Sequence, residues 1–385
     1  MLKRLNLDST KSLKLLSPIL FLLGLGNLNV LNKKLTTFYS IYIAILTTTI
    51  TTINVKLFSF KQTYYIKMPF SHVLIDILVN AFLFILATIA ILKLTFLKQH
   101  KLKTLLNVLF EVDEMFSKHL NVIDSNKKVL TGFVITNLGY LIIFGINIYF
   151  WGTNSPTRVV YYYSVEYFLK YHVFCVFILM INIMIAIFNR LKTINLIISN
   201  ISNTSTTKHT EIIKDLRQIF TQLCDCIDIF NDIFGLYLLI FVFYTLSSAL
   251  SSSIQLIRFS NPYNVFKQRT NTSLLLTGVV LWTLVTVHIA ALIIKIADDT
   301  SRESKKITSL CYKLSKKTRF YDKNDLKTEL VVFAKQAYRS VTSYNTAGFF
   351  ILDNSIFFKF LNMYISYLII LIQFKKNLNH LSDRN

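Results

Sequence analysis

Long apolar stretches, separated by charged connections, dominate the pattern of this chain. A helix that crosses a bilayer needs about 20 mostly apolar residues. The stretches that reach this length predict seven membrane-spanning helices, and they run approximately over residues Thr36–Val55, Ser71–Leu92, Val129–Phe150, Val165–Phe188, Ile233–Ile257, Ser273–Ile296 and Asn354–Gln373.

The longer connections carry helical patterns of their own. The segments HKLKTLLNVLFEVDEMFSKHL, TEIIKDLRQIFTQLCDCIDIF and TELVVFAKQAYRSVTSYNTAGFF place apolar residues three and four positions apart, with charges between them. This spacing is typical of amphipathic helices. We therefore expect one transmembrane domain over residues 1–385, with helical cytoplasmic extensions at about 93–128, 189–232 and 297–353.

Basic residues predict the orientation of the spans. Cytoplasmic connections of membrane proteins are enriched in Lys and Arg, and here alternate connections differ in these residues by about three to one. The predicted fold class is an all-α membrane protein with a cytoplasmic N-terminus and an extracellular C-terminus. The N-terminal run LLSPILFLLGLG is too short to span, and it fits either a cleaved signal peptide or a segment at the membrane surface.

Composition excludes several classes. The chain is 53% hydrophobic and 16% charged, with a net charge of +22. Because the basic residues lie between apolar spans, membrane topology explains the charge and we expect no nucleic-acid partner. The pair Cys224 and Cys226, near His209, lacks the second cysteine pair of a zinc site, so no metal or other cofactor is expected. The sequence contains no clustered catalytic motif, so we do not expect an enzyme.

The last predicted span carries polar residues on one face. A helix advances about 100° per residue, so the side chains of this face share an arc of about 60°. Such a face suits a helix that lines an aqueous path, and it equally suits hydrogen bonding to a neighbouring span. The face contains Ser355, Asn362, Ser366, Ile369 and Gln373.

The end of this span resembles a known signature. The segment SYLIILIQF is similar to the C-terminal signature of insect gustatory receptors, in which a Thr-Tyr pair and five hydrophobic residues precede Gln-Phe. Ser366 replaces the Thr, while Tyr367, Gln373 and Phe374 match. The upstream segment TAGFF is also similar to the family. With the length and the predicted spans, the resemblance covers essentially the whole chain.

The resemblance implies a subunit of a tetrameric, ligand-gated, non-selective cation channel, related to the insect odorant co-receptor and opened by a small-molecule tastant. It places the protein in the plasma membrane of chemosensory neurons, in contact with lipid and with identical or related subunits. The last helix would line the pore, with Gln373 and Phe374 at the gate and Ser366 and Tyr367 deeper. The spacing alone supports Gln373 as pore-facing, but not Phe374.

The resemblance places the ligand pocket among the outer halves of the second to sixth spans. His72, Asp76 and Asn80 form a polar stripe on the second span, which suits either a pocket or a core pair of His72 with Asp76. The cluster YYYSVEYF contains Tyr161, Tyr162 and Glu166, which suit sugars, organic cations or an interfacial aromatic belt. Further candidates are Trp282 and His288, on different faces of the sixth span.

Other receptor and transport classes fit the pattern less well. A G-protein-coupled receptor has the opposite orientation and carries Asp-Arg-Tyr after its third span, where this chain has FWGTN. Transporters usually show helices broken by Gly or Pro in corresponding halves, and no such repeat is visible. The closest alternative is an odorant-type receptor subunit that needs a separate co-receptor.

Overall fold

A computed structural model gives the fold of the chain. The structure describes residues 6–7, 33–65, 70–93, 99–118, 123–124, 137–146, 149, 157–201, 208–259, 272–317, 324–340 and 343–382. The N-terminal apolar run lies outside these residues.

The described part of the chain is almost entirely helical. The exceptions are the hairpin before the last helix and a short parallel pairing of β1 (Asn6–Leu7) with β2 (Ile123–Asp124). The helices are α1 (Lys33–Tyr65), α2 (Phe70–Leu92), α3 (Gln99–Ser117), α4 (Asn137–Ile146), α5 (Thr157–Ile201), α6 (Lys208–Phe259), α7 (Thr272–Lys317), α8 (Asn324–Arg339) and α9 (Asn354–Ser382).

Three helices are much longer than a membrane is thick. Helices α5, α6 and α7 contain 45, 52 and 46 residues. At about 1.5 Å per residue they extend about 70 Å, more than twice the roughly 30 Å of a bilayer core. Each therefore joins an apolar half, which contains a predicted span, to a polar half. The polar half of α6 packs against α3 and α8, and that of α7 packs against α8.

The described residues contain two groups of apolar helices. Parts of α2, α5, α6 and α7 are long enough and apolar enough to cross a membrane. Shorter apolar helices occur at Ile41–Lys56, Asn137–Ile146 and Asn354–Ile370. The third predicted span, Val129–Phe150, is described mainly over α4.

A buried ion pair joins the polar halves of the bundle. The guanidinium of Arg190 on α5 is fully buried, and its Nη2 lies 2.6 Å from Oδ2 of Asp113 on α3. Its Nη1 donates to the carbonyl of Ala186 at 2.6 Å. On the other side of α5, the amide of Asn195 donates to the Glu303 carboxylate of α7 at 2.7 Å. These contacts fix α3, α5 and α7 together.

A tight hairpin connects α8 to α9. The amphipathic pattern of the sequence continues to Phe350, but α8 ends at Arg339, and the chain turns back on itself between Asn345 and Ile351. Asn345 and Ile351 form an antiparallel bridge, and the turn between them uses positive φ angles at Ala347 (52°) and Gly348 (82°). Glycine adopts this conformation without steric cost, whereas alanine does not.

The hairpin packs closely on α6. The side-chain amide of Asn231 donates to the carbonyl of Ser343 and its oxygen accepts from the Asn345 backbone amide, both at 3.0 Å. One turn further along α6, a Cβ on Gly235 would lie 2.7 Å from the backbone nitrogen of Ala347. The hairpin backbone therefore reaches this depth only because residue 235 has no side chain.

Candidate functional site

A small cavity lies between α2, α5, α6 and α7, in their apolar halves. Its volume is about 20 Å³, enough for about one water molecule. Most of the described residues that line it are aliphatic or aromatic. They are Leu83, Lys170, Val173, Phe174, Phe177, Phe241, Tyr244, Trp282, Val285, Thr286 and Ile289.

Lys170 brings two of the predicted pocket residues together. Its Nζ lies 2.8 Å from Oε1 of Glu166, one turn earlier on α5, and both side chains are almost buried. The same ammonium lies 5.0 Å from the ring centre of Tyr167 and 5.1 Å from that of Trp282. Both distances suit cation–π contacts. Glu166 and Trp282, on different helices, thus belong to one cluster.

Aromatic rings surround this cluster on the α4 side. Tyr140 on α4 packs against Phe174 and Trp282, with ring centres 5.3 and 6.2 Å apart. Its hydroxyl donates to the carbonyl of Tyr167 at 2.7 Å. Tyr171 donates in turn to the Asn137 side chain at 2.9 Å. The hydrogen bonds hold the rings in place, so the wall formed by α4 and α5 is pre-organised.

The polar stripe of α2 lies apart from the cavity. His72, Asp76 and Asn80 are partly buried, and none of them is among the lining residues. The Asn80 side chain donates to the backbone carbonyl of Asp76 at 2.7 Å. Leu83, one turn further along α2, is the residue that reaches the cavity.

The remaining pocket candidates differ in whether they line the cavity. Trp282 lines the cavity, whereas His288 is exposed on another face of α7. Tyr161 and Tyr162 lie in the first turns of α5, and their side chains are outside the described part of the structure.

Sequence reasoning missed Lys170 and Tyr244 as site residues. Lys170 is an ionisable residue inside a predicted span, four positions after Glu166, and this spacing signals an ion pair on a helix. Tyr244 carries no such signal, because an aromatic residue in an apolar span more often packs in the core.

The polar face of α9 points away from the rest of the subunit. Ser355, Asn362, Ser366 and Gln373 are exposed, and Ile369 is 50% exposed. Tyr364 lies about 180° from Gln373 around the helix and contacts α6. Ile356, Phe357 and Phe360 also face the body of the subunit. Tyr367 is half-exposed on a different face, and the side chain of Phe374 is outside the described part.

Two hydrogen bonds link the cavity region to α9. Thr283, the neighbour of Trp282 on α7, donates to the hydroxyl of Ser252 on α6 at 2.6 Å. The next residue, Ser253, shares a hydrogen bond with Tyr364 on α9, with 2.6 Å between the oxygens. A chain of contacts therefore runs from the cavity wall to the last helix.

The cysteines of the polar halves are embedded in packed surfaces. Burial raises the pKa of the Cys224, Cys226 and Cys311 thiols to about 12. Among the described residues, no group of three His, Cys, Asp or Glu side chains converges on a metal-sized site.

Comparison with known proteins identifies the fold and the family. The family described as "7tm Chemosensory receptor" matches residues 13–378. The structure is similar to that of the insect olfactory receptor OR5 from Machilis hrabei in complex with eugenol, with a TM-score of 0.70 and 16% identity. The similarity covers 94% of this chain and 98% of the receptor. A second structure of OR5 matches with a TM-score of 0.69, 16% identity and the same coverage. No curated protein matches by sequence.

The class is therefore a seven-transmembrane, all-α membrane receptor, as the sequence predicted. The chain belongs to the seven-transmembrane chemosensory receptor family. The resemblance noted in its C-terminal signature is confirmed at the level of this family, and the fold is that of an insect olfactory receptor. The side of the membrane on which each terminus lies stays a prediction.

Proposed function

We propose that the chain is a gustatory receptor subunit that forms a ligand-gated, non-selective cation channel. In this proposal four subunits, identical or related, surround one pore in the plasma membrane of a chemosensory neuron. A small-molecule tastant opens the pore. Family membership and the signature from Ser366 to Phe374 support this reading.

The observation that carries the proposal is the arrangement of α9. Its apolar and aromatic contacts with α6 and α7 lie on one side, and its polar residues lie on the opposite side, exposed in the single chain. Polar groups within a membrane normally face protein or water rather than lipid. Four copies of this helix around an axis would turn Asn362, Ser366, Ile369 and Gln373 toward a shared aqueous path.

The cavity beside Lys170 is the proposed ligand site. It is mostly apolar and has few polar groups, as small-molecule pockets usually do. The structurally similar OR5 was solved with eugenol, a small aromatic molecule. A ligand of that size exceeds about 20 Å³, so binding requires the lining side chains to move apart.

An odorant-type receptor subunit is the second candidate. The similarity to an olfactory receptor is the observation in its favour, although the fold alone does not separate taste from smell. The two candidates differ in assembly. An odorant-type subunit is expected to conduct only with a co-receptor, whereas the proposed gustatory receptor conducts alone or with related taste subunits.

Whole-cell recording tests the proposal. Cells expressing this chain alone are exposed to sugars, bitter compounds, amino acids and neutral aromatic compounds. We expect a ligand-evoked cation current that is smaller in cells expressing an equal surface amount of the Gln373→Lys variant. A current only with a co-receptor would favour the odorant-type subunit. Surface expression without current under either condition would contradict the channel proposal.

A further inference from the structure

Lys170 is the one formally charged side chain among the described residues that line the cavity. Its partner Glu166 lies on the same helix face at 2.8 Å. The side chains are only 11% and 13% exposed, so bulk water screens neither charge fully. The one charged side chain of the cavity wall is therefore accompanied by a carboxylate 2.8 Å away, and the two charges of this ion pair cancel.

This neutrality decides which ligand charges the cavity accepts. A charge buried in a weakly polar site is costly unless another charge compensates it. A carboxylate ligand would place two anions beside one ammonium, and an amine ligand would place two cations beside one carboxylate. In both cases one charge stays uncompensated, whereas a neutral ligand leaves the pair balanced.

Lys170 also offers a hydrogen bond to a neutral ligand. An ammonium has three donors. One N–H of Lys170 points to Glu166, and the rings of Tyr167 and Trp282 lie against the ammonium at about 5 Å. A hydroxyl, ether or carbonyl oxygen that enters beside Trp282 can accept a hydrogen bond in exchange for a cation–π contact. The apolar remainder would pack against Phe174, Phe177 and Phe241, which line the same cavity.

We infer that the Glu166–Lys170 pair is a charge filter that selects neutral ligands with a hydrogen-bond acceptor and rejects amines and carboxylates of the same shape. Glu166 alone would indicate an organic cation, but Lys170 already compensates its charge. The inference rests on the proposed ligand site, and it assigns roles to two residues of this chain rather than to the pocket as a whole.

Each half of the pair has a distinct predicted effect on selectivity. Lys170→Met removes the ammonium 2.8 Å from Glu166, so the cavity should then favour an amine. Glu166→Gln removes the carboxylate beside Lys170, so the cavity should then favour a carboxylate. The double variant Glu166→Leu with Lys170→Met is again neutral but has lost the donor.

Matched probes of one shape measure these effects. Phenethyl alcohol, phenylacetate, phenethylamine and ethylbenzene differ mainly at one end, and their affinities follow from the thermal stabilisation of the purified receptor. We expect the native receptor to prefer the alcohol over either ion by about tenfold or more. Lys170→Met should raise the affinity for phenethylamine, relative to that for phenethyl alcohol, by about tenfold. Glu166→Gln should raise the relative affinity for phenylacetate by the same factor.

The double variant keeps the test decisive where a single variant fails to fold. Replacing both members of a buried pair by apolar residues is often tolerated, whereas removing one is costly. The double variant should lose the preference of the native receptor for phenethyl alcohol over ethylbenzene. Lys306→Met is the matched control, because Lys306 lies on the polar half of α7 with a 56% exposed side chain. Its probe preferences should equal those of the native receptor.

The outcomes separate this inference from the proposed function. The same order of probe affinities in all variants would overturn the filter, even if the receptor conducts a ligand-evoked current. Failure of every probe to stabilise any variant would overturn it as well. Opposite shifts in the two single variants would support the filter, whether or not the chain conducts without a co-receptor.

Discussion

Ser253 of α6 and Tyr364 of α9 share a hydrogen bond with 2.6 Å between their oxygen atoms. This contact attaches the proposed pore helix to a helix that also lines the cavity through Tyr244. The neighbouring Ser252 accepts from Thr283, which follows Trp282 on α7. Movement of the cavity wall is therefore connected to α9 by direct contacts.

Removal of this hydrogen bond should weaken the coupling between ligand and gate. We expect Ser253→Ala and Tyr364→Phe each to shift the ligand concentration for half-maximal current by about three- to tenfold, because a hydrogen bond contributes about 1 kcal/mol. The double variant should show no more than the larger single effect, because both changes remove one contact.

The matched control for this cycle is Tyr338→Phe, since Tyr338 is 79% exposed on α8. Its dose–response curve should coincide with that of the native receptor. Independent, additive effects of Ser253→Ala and Tyr364→Phe would show that their hydrogen bond does not carry the coupling.

Gln373 should influence permeation in opposite directions according to the charge introduced. In the proposed pore, Gln373→Glu places one carboxylate from each subunit in a ring that attracts cations, whereas Gln373→Lys places a ring of ammonium groups that repels them. Reversal potentials in asymmetric sodium chloride would measure the change in selectivity. Equal reversal potentials and conductances for the two variants would remove Gln373 from the pore.

Gly235 should be essential for the seating of the hairpin. The Cβ of Gly235→Ala would meet the backbone nitrogen of Ala347 at 2.7 Å, so the hairpin must shift. Overpacking of this kind costs about 1–3 kcal/mol, and it should lower the melting temperature of the purified protein. Gly139→Ala is the control, because nothing lies within 4 Å of its added Cβ. Similar melting temperatures for the two variants would contradict the close contact.

Asp113→Ala should be strongly destabilising. It leaves the fully buried Arg190 without its carboxylate partner, and the loss of one member of a buried pair costs about 3–5 kcal/mol. We expect little folded protein in fluorescence-detected size-exclusion chromatography. Asp232→Ala removes the ion pair of Asp232 with Lys101. The side chains of Lys101 and Asp232 are 50% and 40% exposed, so this change should have a much smaller effect. Equal yields would show that Arg190 finds other compensation.

The cysteines of the polar halves should react slowly with alkylating reagents. Because burial raises the pKa of Cys224, Cys226 and Cys311 to about 12, almost none of each thiol is ionised at neutral pH. The thiolate is the reactive form, so maleimide labelling should be at least about a hundredfold slower than for an exposed thiol. Mass spectrometry of the labelled protein, before and after denaturation, would measure the labelling rate. Rapid labelling of the native protein would contradict the burial.

The sequence predicted those features that depend on periodicity along one helix. Apolar stretches indicated the class of fold, and the 100° spacing placed Asn362 and Gln373 on one face. The site required contacts between helices, which periodicity does not contain. Nothing in the sequence indicates that Lys170 lies over Trp282, which is far away along the chain. The close packing of the hairpin was missed because it depends on the missing side chain of Gly235, on another helix.

The small volume of the cavity has a consequence for sensitivity in the proposed receptor. A ligand binds only those receptor molecules whose cavity has expanded, so the measured affinity is the intrinsic affinity multiplied by the expanded fraction. Substitutions in the surrounding aromatic packing would change that fraction without touching the ligand. Related receptors can thereby respond to the same compound at different concentrations, with their ligand contacts unchanged.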